Sequence, residues 1–216
     1  MSARIVFDLD GTLIDSAPDI QGIANTVLTG MGADPITLED TRSFIGEGIA
    51  AFVSKVRAAR SLPDSAQEDM LDQVVGLYDD AVSLTVPYPG VVDVLGTLAG
   101  RYSLGICTNK LHSPCVSVLK HLNLDSYFGT IWGGDNPLGR KPDPAALLAA
   151  FEELGEGPRI YVGDSEVDAE TARRAAVPFL LFTEGYRKQP IESIRYDESF
   201  SRFESLPALI AKYLQA

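Results

Sequence analysis

The chain has 216 residues, 45% of them apolar, and a formal net charge of −12, enough for one sizeable core and a small second one. The acidic balance argues against nucleic acid and anionic membrane surfaces as partners, and no apolar stretch reaches the roughly 20 residues that span a bilayer. A strand starting near Arg4 leaves no room for a secretory leader, Cys107 and Cys115 read as reduced, packed thiols, and the expected compartment is the cytoplasm.

Ile5-Val6-Phe7 is an apolar run of strand type, and Asp8-Leu9-Asp10-Gly11-Thr12 follows it. On a continuing strand the carboxylates of Asp8 and Asp10 would point the same way. Gly11-Thr12 breaks the strand at its carboxyl end, the edge where an open α/β sheet takes its ligand. Two acids leaving a buried strand cost free energy unless a cation or a reaction uses them.

Residues 16–86 read differently. Ser16-Ala17-Pro18-Asp19 is a helix start with a capping serine and an early proline. Ile20, Ile23, Ala24, Val27, Leu28 and Met31 then repeat at helical spacing. Residues 37–40 give a second start, and Phe44-Ile45 runs into Gly46-Glu47-Gly48. Ile49, Phe52, Val53 and Val56 form one apolar stripe; Leu71, Val74, Val75 and Tyr78 form another. With no strand pattern, the segment reads as a small helical domain inserted into the rest. Its two connections, near Ile14-Asp15-Ser16 and Val86-Pro87-Tyr88-Pro89, are expected to act as hinges.

From Pro87 onward helices and strands alternate. Val91, Val94, Leu95 and Leu98 form a helix face, residues 102–107 a strand, and Val116, Leu119 and Leu122 a helix face. Ile131-Trp132 is a short strand, 145–154 a helix, 159–163 a strand, 167–176 a helix, 179–182 a strand and 206–214 a closing helix. This order predicts an α/β, doubly wound parallel sheet covered on both faces. The expected division is a core of residues 1–15 and 87–216 with a helical cap of residues 16–86. His112 and His121 have no partner at zinc spacing and read as surface or loop histidines.

Three later strands lead into reactive polar groups. Leu104-Gly105-Ile106-Cys107 precedes Thr108-Asn109-Lys110; Ile131-Trp132-Gly133-Gly134 precedes Asp135 and then Arg140-Lys141-Pro142-Asp143-Pro144; Ile160-Tyr161-Val162-Gly163 precedes Asp164-Ser165-Glu166-Val167-Asp168. The order is paired aspartates, a hydroxyl, a lysine and a second acidic pair. Over the whole chain this resembles the haloacid dehalogenase superfamily of aspartate-nucleophile phosphatases. Within it, Gly11-Thr12-Leu13-Ile14-Asp15-Ser16, Thr108-Asn109-Lys110 and Gly133-Gly134-Asp135 resemble the phosphoglycolate phosphatases.

The resemblance implies an Mg²⁺-dependent phosphatase acting on a small phosphorylated metabolite, with 2-phosphoglycolate as the expected substrate. Asp8 would be the nucleophile that forms an aspartyl-phosphate, and Asp10 the acid for the leaving oxygen and then the base for water. The Asp8 carboxylate, the Asp10 backbone carbonyl and Asp164 would hold the metal, a hard cation suited to oxygen ligands. Asp168 would orient a water on that metal, or else serve as a helix-cap acid. Thr108 and Lys141 would hold the phosphoryl oxygens. Gly11, Thr12, Asn109 and Lys110 would meet the substrate from the core, and Gly46, Glu47 and Gly48 from the cap, unless that segment is a plain helix–helix turn. Arg42, Lys55 and Lys110 are the cations placed to help with a second anionic end. Family members more often carry Asn where Glu47 stands.

A mutase of the β-phosphoglucomutase type would place a histidine where Pro18-Asp19-Ile20-Gln21 has none. A haloacid dehalogenase lacks the second aspartate of the first motif. A phosphonoacetaldehyde hydrolase needs a Schiff-base lysine in the cap, and nothing around Lys55 suggests one. A pyrophosphatase or sugar-phosphate phosphatase of the same superfamily stays open. So does a catalytically silent binding module, and the sequence does not set an oligomeric state.

Overall fold

The computed structural model describes residues 2–215. Strand β1 (Arg4–Phe7) lies mid-sheet, and all four of its residues are buried. The chain continues through the short β2 (Ile14–Asp15) into four helices: α1 (Ala17–Gly30), α2 (Leu38–Phe44), α3 (Ile49–Ala59) and α4 (Gln67–Tyr78). It returns through β3 (Val86–Pro87) to α5 (Val91–Ala99), β4 (Ser103–Cys107), α6 (His112–His121), β5 (Thr130–Trp132), α7 (Ala145–Glu153), β6 (Arg159–Gly163), α8 (Glu166–Ala175), β7 (Phe179–Phe182), β8 (Glu198–Phe200) and α9 (Leu206–Gln215). Among the described residues no helix is long and apolar enough to cross a membrane.

The main sheet runs β5-β4-β1-β6-β7-β8, and every neighbouring pair is parallel. Alternation along each strand feeds two cores. Ile5 and Phe7 pack with Leu104, Ile106, Ile160, Val162 and Leu180 on the face covered by α5, α6 and α9. Val6 packs with Cys107, Tyr161, Phe179 and Leu181 on the face covered by α7 and α8. Both faces are therefore dry, as a parallel sheet requires, and a fully buried side chain such as Phe7 contributes about 1.5–3 kcal/mol. The edge strands β5 and β8 are short, which limits edge pairing.

The four inserted helices bury their own cluster, including Ile20, Ile23, Val27, Phe52, Val56, Met70, Val74 and Tyr78. Four details differ from the sequence reading. The stripe on α4 is Met70, Val74 and Tyr78; Val75 is 40% exposed, because the buried face is turned by one residue. On α6 it is Cys115, Val118 and Leu119 that are buried, not Val116. The two connections are paired strands: Ile14 faces Pro87 and Asp15 faces Val86 in an antiparallel ribbon. Buried Asp19 reinforces the ribbon by accepting from the backbone N–H groups of Leu84 and Thr85 and from the Thr85 hydroxyl. Finally, Ser16 does not cap α1 with its side chain; its hydroxyl donates to Asp10 Oδ1 at 2.6 Å. Thr37 and Asp40 do form a reciprocal capping box at the start of α2.

Candidate active site

Register brings three strand ends together. Phe7 pairs with Ile106 on one side and Val162 on the other, so Asp8 emerges level with Cys107 and Gly163. Thr108 and Asp164 follow one residue further out. The turn after β1 is closed by backbone N–H groups of Thr12, Leu13 and Ile14 donating to Leu9 O. Gly11 has φ +87°, and a Cβ there would stand 2.6 Å from Asp164 Oδ2. Glycine is needed at that position both for the left-handed backbone and for the close approach.

Lys141 organises the acids. Its Nζ lies 2.8 Å from Asp8 Oδ1 and 2.7 Å from Asp168 Oδ1, and it donates to the Tyr161 hydroxyl at 3.1 Å. Burial opposes the charge on Lys141, but Asp168 and Asp8 outweigh it and raise its pKa. Asp168 is saturated: Oδ1 accepts from Lys141 and from Tyr161 at 2.8 Å, and Oδ2 accepts from the Ser165 hydroxyl at 2.6 Å. Burial disfavours its charge, yet Lys141, Ser165 and Tyr161 hold its pKa below the usual carboxylate range. It also completes the capping box of α8.

Asp164 is 1% exposed and accepts from the Thr12 hydroxyl at 2.8 Å and the Tyr186 N–H at 2.6 Å. Burial, then repulsion from Asp168 and Asp8, pushes its pKa well up. Burial likewise lifts Asp8 to about 7, against the pull of Lys141. The carboxylates of Asp8, Asp164 and Asp168 have oxygens within 4.8 Å of one another. Lys141 touches Asp8 and Asp168, and apart from that 2.8 Å ion pair the buried Asp8 Oδ1 has no partner among the described residues. Three crowded carboxylates beside one ammonium, with an acceptor to spare, fit a hard divalent cation.

Asp10 is held by Ser16 and by Lys110, whose Nζ is 3.3 Å from Asp10 Oδ1. Asn109 clamps the lysine loop: its Oδ1 accepts from the Lys141 N–H at 2.9 Å, and its Nδ2 donates to Lys141 O and Gly46 O. The Gly133-Gly134-Asp135 motif supports the Thr108–Lys110 segment from behind. Gly134 N–H donates to Lys110 O at 2.7 Å, and Asp135 Oδ1 accepts from the His112 N–H at 2.8 Å.

A small, partly open pocket of about 40 Å³ lies over these groups, with Asp8, Asp10, Thr108, Asn109 and Lys141 as its floor. Ile20, Ile45, Ile49, Phe52 and Tyr78 form an inserted-helix roof, with Gly46 and Gly48 beside them. The structure thus brings Asp8, Asp10, Thr108, Asn109, Lys110, Lys141, Gly46 and Gly48 to one cavity, with Asp164 and Asp168 adjoining Asp8. Gly11 and Thr12, read in the sequence as substrate contacts, are instead set against Asp164. Glu47 turns away from the cavity to pair with Lys55 and with Lys188 at 3.0 Å. Those two lysines hold its carboxyl down to about 2. Arg42 pairs with Asp15 at 2.9 Å, outside the cavity.

Sequence reasoning missed Tyr161, Tyr186, Lys188 and Tyr78 as neighbours of the site. Tyr161 and Tyr78 sit in apolar patterns that read as packing, and Tyr186 and Lys188 lie in a loop whose fold places them there. The GY pair after β7 was the available signal, since Gly185 also packs too closely on Asp164 for any Cβ.

The family profile described as haloacid dehalogenase-like hydrolase matches residues 5–182. A phosphoglycolate phosphatase of Cereibacter sphaeroides is 41% identical over 214 residues, covering 97% of this chain and 98% of that protein. One of Rhodobacter capsulatus is 37% identical, covering 97% of each. The crystal structure of a predicted phosphoglycolate phosphatase from Haemophilus somnus 129pt superposes with a TM-score of 0.88 at 26% identity, covering 95% of this chain and 96% of that one.

Proposed function

The chain belongs to the haloacid dehalogenase-like hydrolase family and is a phosphoric monoester hydrolase, and on that premise we propose that it hydrolyses 2-phosphoglycolate through an aspartyl-phosphate on Asp8. The observation that carries the substrate reading is the full-length likeness to phosphoglycolate phosphatases. The pocket adds Asn109 and Lys110 beside Thr108 and Lys141, polar donors in keeping with a small, doubly charged ester.

The chain's own groups account for both steps. Thr108 and Lys141 face the phosphoryl oxygens, and Lys141 is fixed for that task by Asp168 and Tyr161. An Asp8 carboxylate oxygen attacks phosphorus as the bond to the leaving oxygen breaks, and Asp10 gives that oxygen its proton. Water then attacks the phosphorus, Asp10 takes the proton, and the Asp8–phosphorus bond breaks to release phosphate. As Asp10 gives up its proton, the carboxylate it becomes faces the Lys110 ammonium at 3.3 Å. Asp8, the Asp10 carbonyl and Asp164 would hold Mg²⁺, which when bound offsets the charge of the phosphoryl group and of the acidic cluster. Residues 16–86, as a cap domain on the core of residues 1–15 and 87–216, exclude water from the floor.

The test is a kinetic comparison of the purified protein with Mg²⁺ on 2-phosphoglycolate, glucose 6-phosphate and pyrophosphate. The expected result is the highest kcat/KM for 2-phosphoglycolate. A preference for either of the others moves the chain to the sugar-phosphatase or pyrophosphatase branch. Absence of turnover on all three overturns the substrate reading.

A further inference from the structure

The roof of the cavity is apolar except at one corner. Ile20, Ile45, Ile49 and Phe52 offer no hydrogen bond, whereas Tyr78 brings a hydroxyl beside the Lys110 ammonium. Lys110 Nζ donates to the Tyr78 oxygen at 3.3 Å and lies 4.4 Å from its ring centroid. Because that oxygen is the acceptor, the hydroxyl hydrogen is free to be donated, and among the described residues it has no acceptor. A buried phenol normally finds a partner for its hydrogen, and here the adjoining space is the substrate cavity.

We propose that Tyr78 is a specificity residue: its hydroxyl, set by Lys110, donates to an acceptor on the end of the substrate remote from phosphate, a carboxylate oxygen in 2-phosphoglycolate. This rests on the substrate reading above and deepens it by naming the groups that read the second anionic end. The chemistry is consistent. Burial raises the Tyr78 pKa, so the group stays a neutral donor. On its other side the Lys110 Nζ pairs with Asp10 Oδ1 at 3.3 Å, which holds it beside the phenol. A phenol polarised by an adjoining cation is a stronger donor to a carboxylate. An ester ending in a methyl group would leave the same hydroxyl unpaired, and that difference is the discrimination.

The experiment compares 2-phosphoglycolate with ethyl phosphate, which has a methyl group where the former has a carboxylate, in the wild-type protein and in Tyr78→Phe. The phenylalanine keeps the ring over Lys110 and the packing of the cap, and thermal unfolding checks that it does. The expected result is a loss of about tenfold in kcat/KM for 2-phosphoglycolate, borne mainly by KM, against less than about twofold for ethyl phosphate. Lys110→Met serves as the contrast: it should lower both substrates, because it also strips Asp10 of its ammonium. A wild-type preference for 2-phosphoglycolate that survives Tyr78→Phe, or equal losses on both esters, overturns the inference alone. A wild-type enzyme that treats the two esters alike overturns the substrate reading and the inference with it.

Discussion

Lys188 Nζ, in the loop after β7, lies 3.0 Å from Glu47 Oε1 in the turn between α2 and α3. The contact joins the sheet side of the molecule to the inserted helices at the rim of the cavity. A carboxylate at position 47 facing the floor would repel an acidic substrate, and this pairing turns it aside. With Lys55 on the same oxygen, Glu47 is outnumbered by ammonium groups and faces away from the floor.

The sign of its linkage to stability follows from the depressed carboxyl, about 2 against an ordinary 4.5. Stabilisation from this pairing is fully present above the ordinary value and is lost as pH falls through the depressed one. The gap in unfolding temperature between wild type and Glu47→Gln should therefore be constant from pH 9 to 6, narrow below about 4.5 and close near 2. The gap should be small, since Glu47 is 49% exposed and exposed pairs are worth about 0.2–1 kcal/mol. A gap that widens on acidification would count against this pairing.

Asp8→Asn keeps the size of the side chain and removes the attacking charge. Turnover should fall by about 10⁴ or more while the fold persists. The neutral amide would also remove a carboxylate whose burial is costly, and with it one of the repulsions that, behind burial, raise Asp164, so unfolding without metal should not move down. Residual activity within about tenfold of wild type, after controls for deamidation, would sink the aspartyl-phosphate mechanism.

The strands β1, β4 and β6 were legible because each is a largely apolar run ending in a distinctive polar motif, and β7 because Phe179–Phe182 is apolar throughout. β8 was not: Glu198-Ser199-Phe200 is a polar edge segment, recruited by pairing with β7 rather than by its own pattern. Ser16 shows why local reading falls short at a site. Its position after a turn and before a proline fits a helix cap, yet its hydroxyl goes to Asp10. The acids and Lys141 stood out because such residues are costly next to strands. Tyr161 and Tyr186 did not, because a tyrosine in or after an apolar strand looks like packing until register puts its hydroxyl on Asp168 or Asp15.

Gly134 carries a mechanical prediction. A Cβ there would stand 2.3 Å from Asn109 O and 2.7 Å from its carbonyl carbon, so Gly134→Ala must displace the segment that bears Thr108, Asn109 and Lys110. Overpacking of this kind costs about 1–3 kcal/mol. Because Asn109 also clamps Lys141, activity should fall by more than the loss of folded protein explains. Denaturant unfolding and kcat measured on the same preparation check this; a stable variant with full kcat would show that the loop has room to give.

The acidic cluster makes metal binding visible without turnover. Asp8 is raised from an ordinary 3.8 to about 7, so between those values the folded protein holds a proton that the unfolded chain has lost. Stability of the chelated protein should therefore decline as pH rises from 5 to 7 and level off above it. Mg²⁺ replaces the missing positive charge, so its stabilising effect should be larger at pH 8 than at pH 5. At a free concentration of 100 times the dissociation constant it should reach about 2.7 kcal/mol. Asp164→Asn removes one of the anionic oxygens and should lose most of that shift, measured by thermal unfolding with and without Mg²⁺. A metal-induced shift that is independent of pH, or unchanged in Asp164→Asn, would place the cation somewhere other than between Asp8 and Asp164.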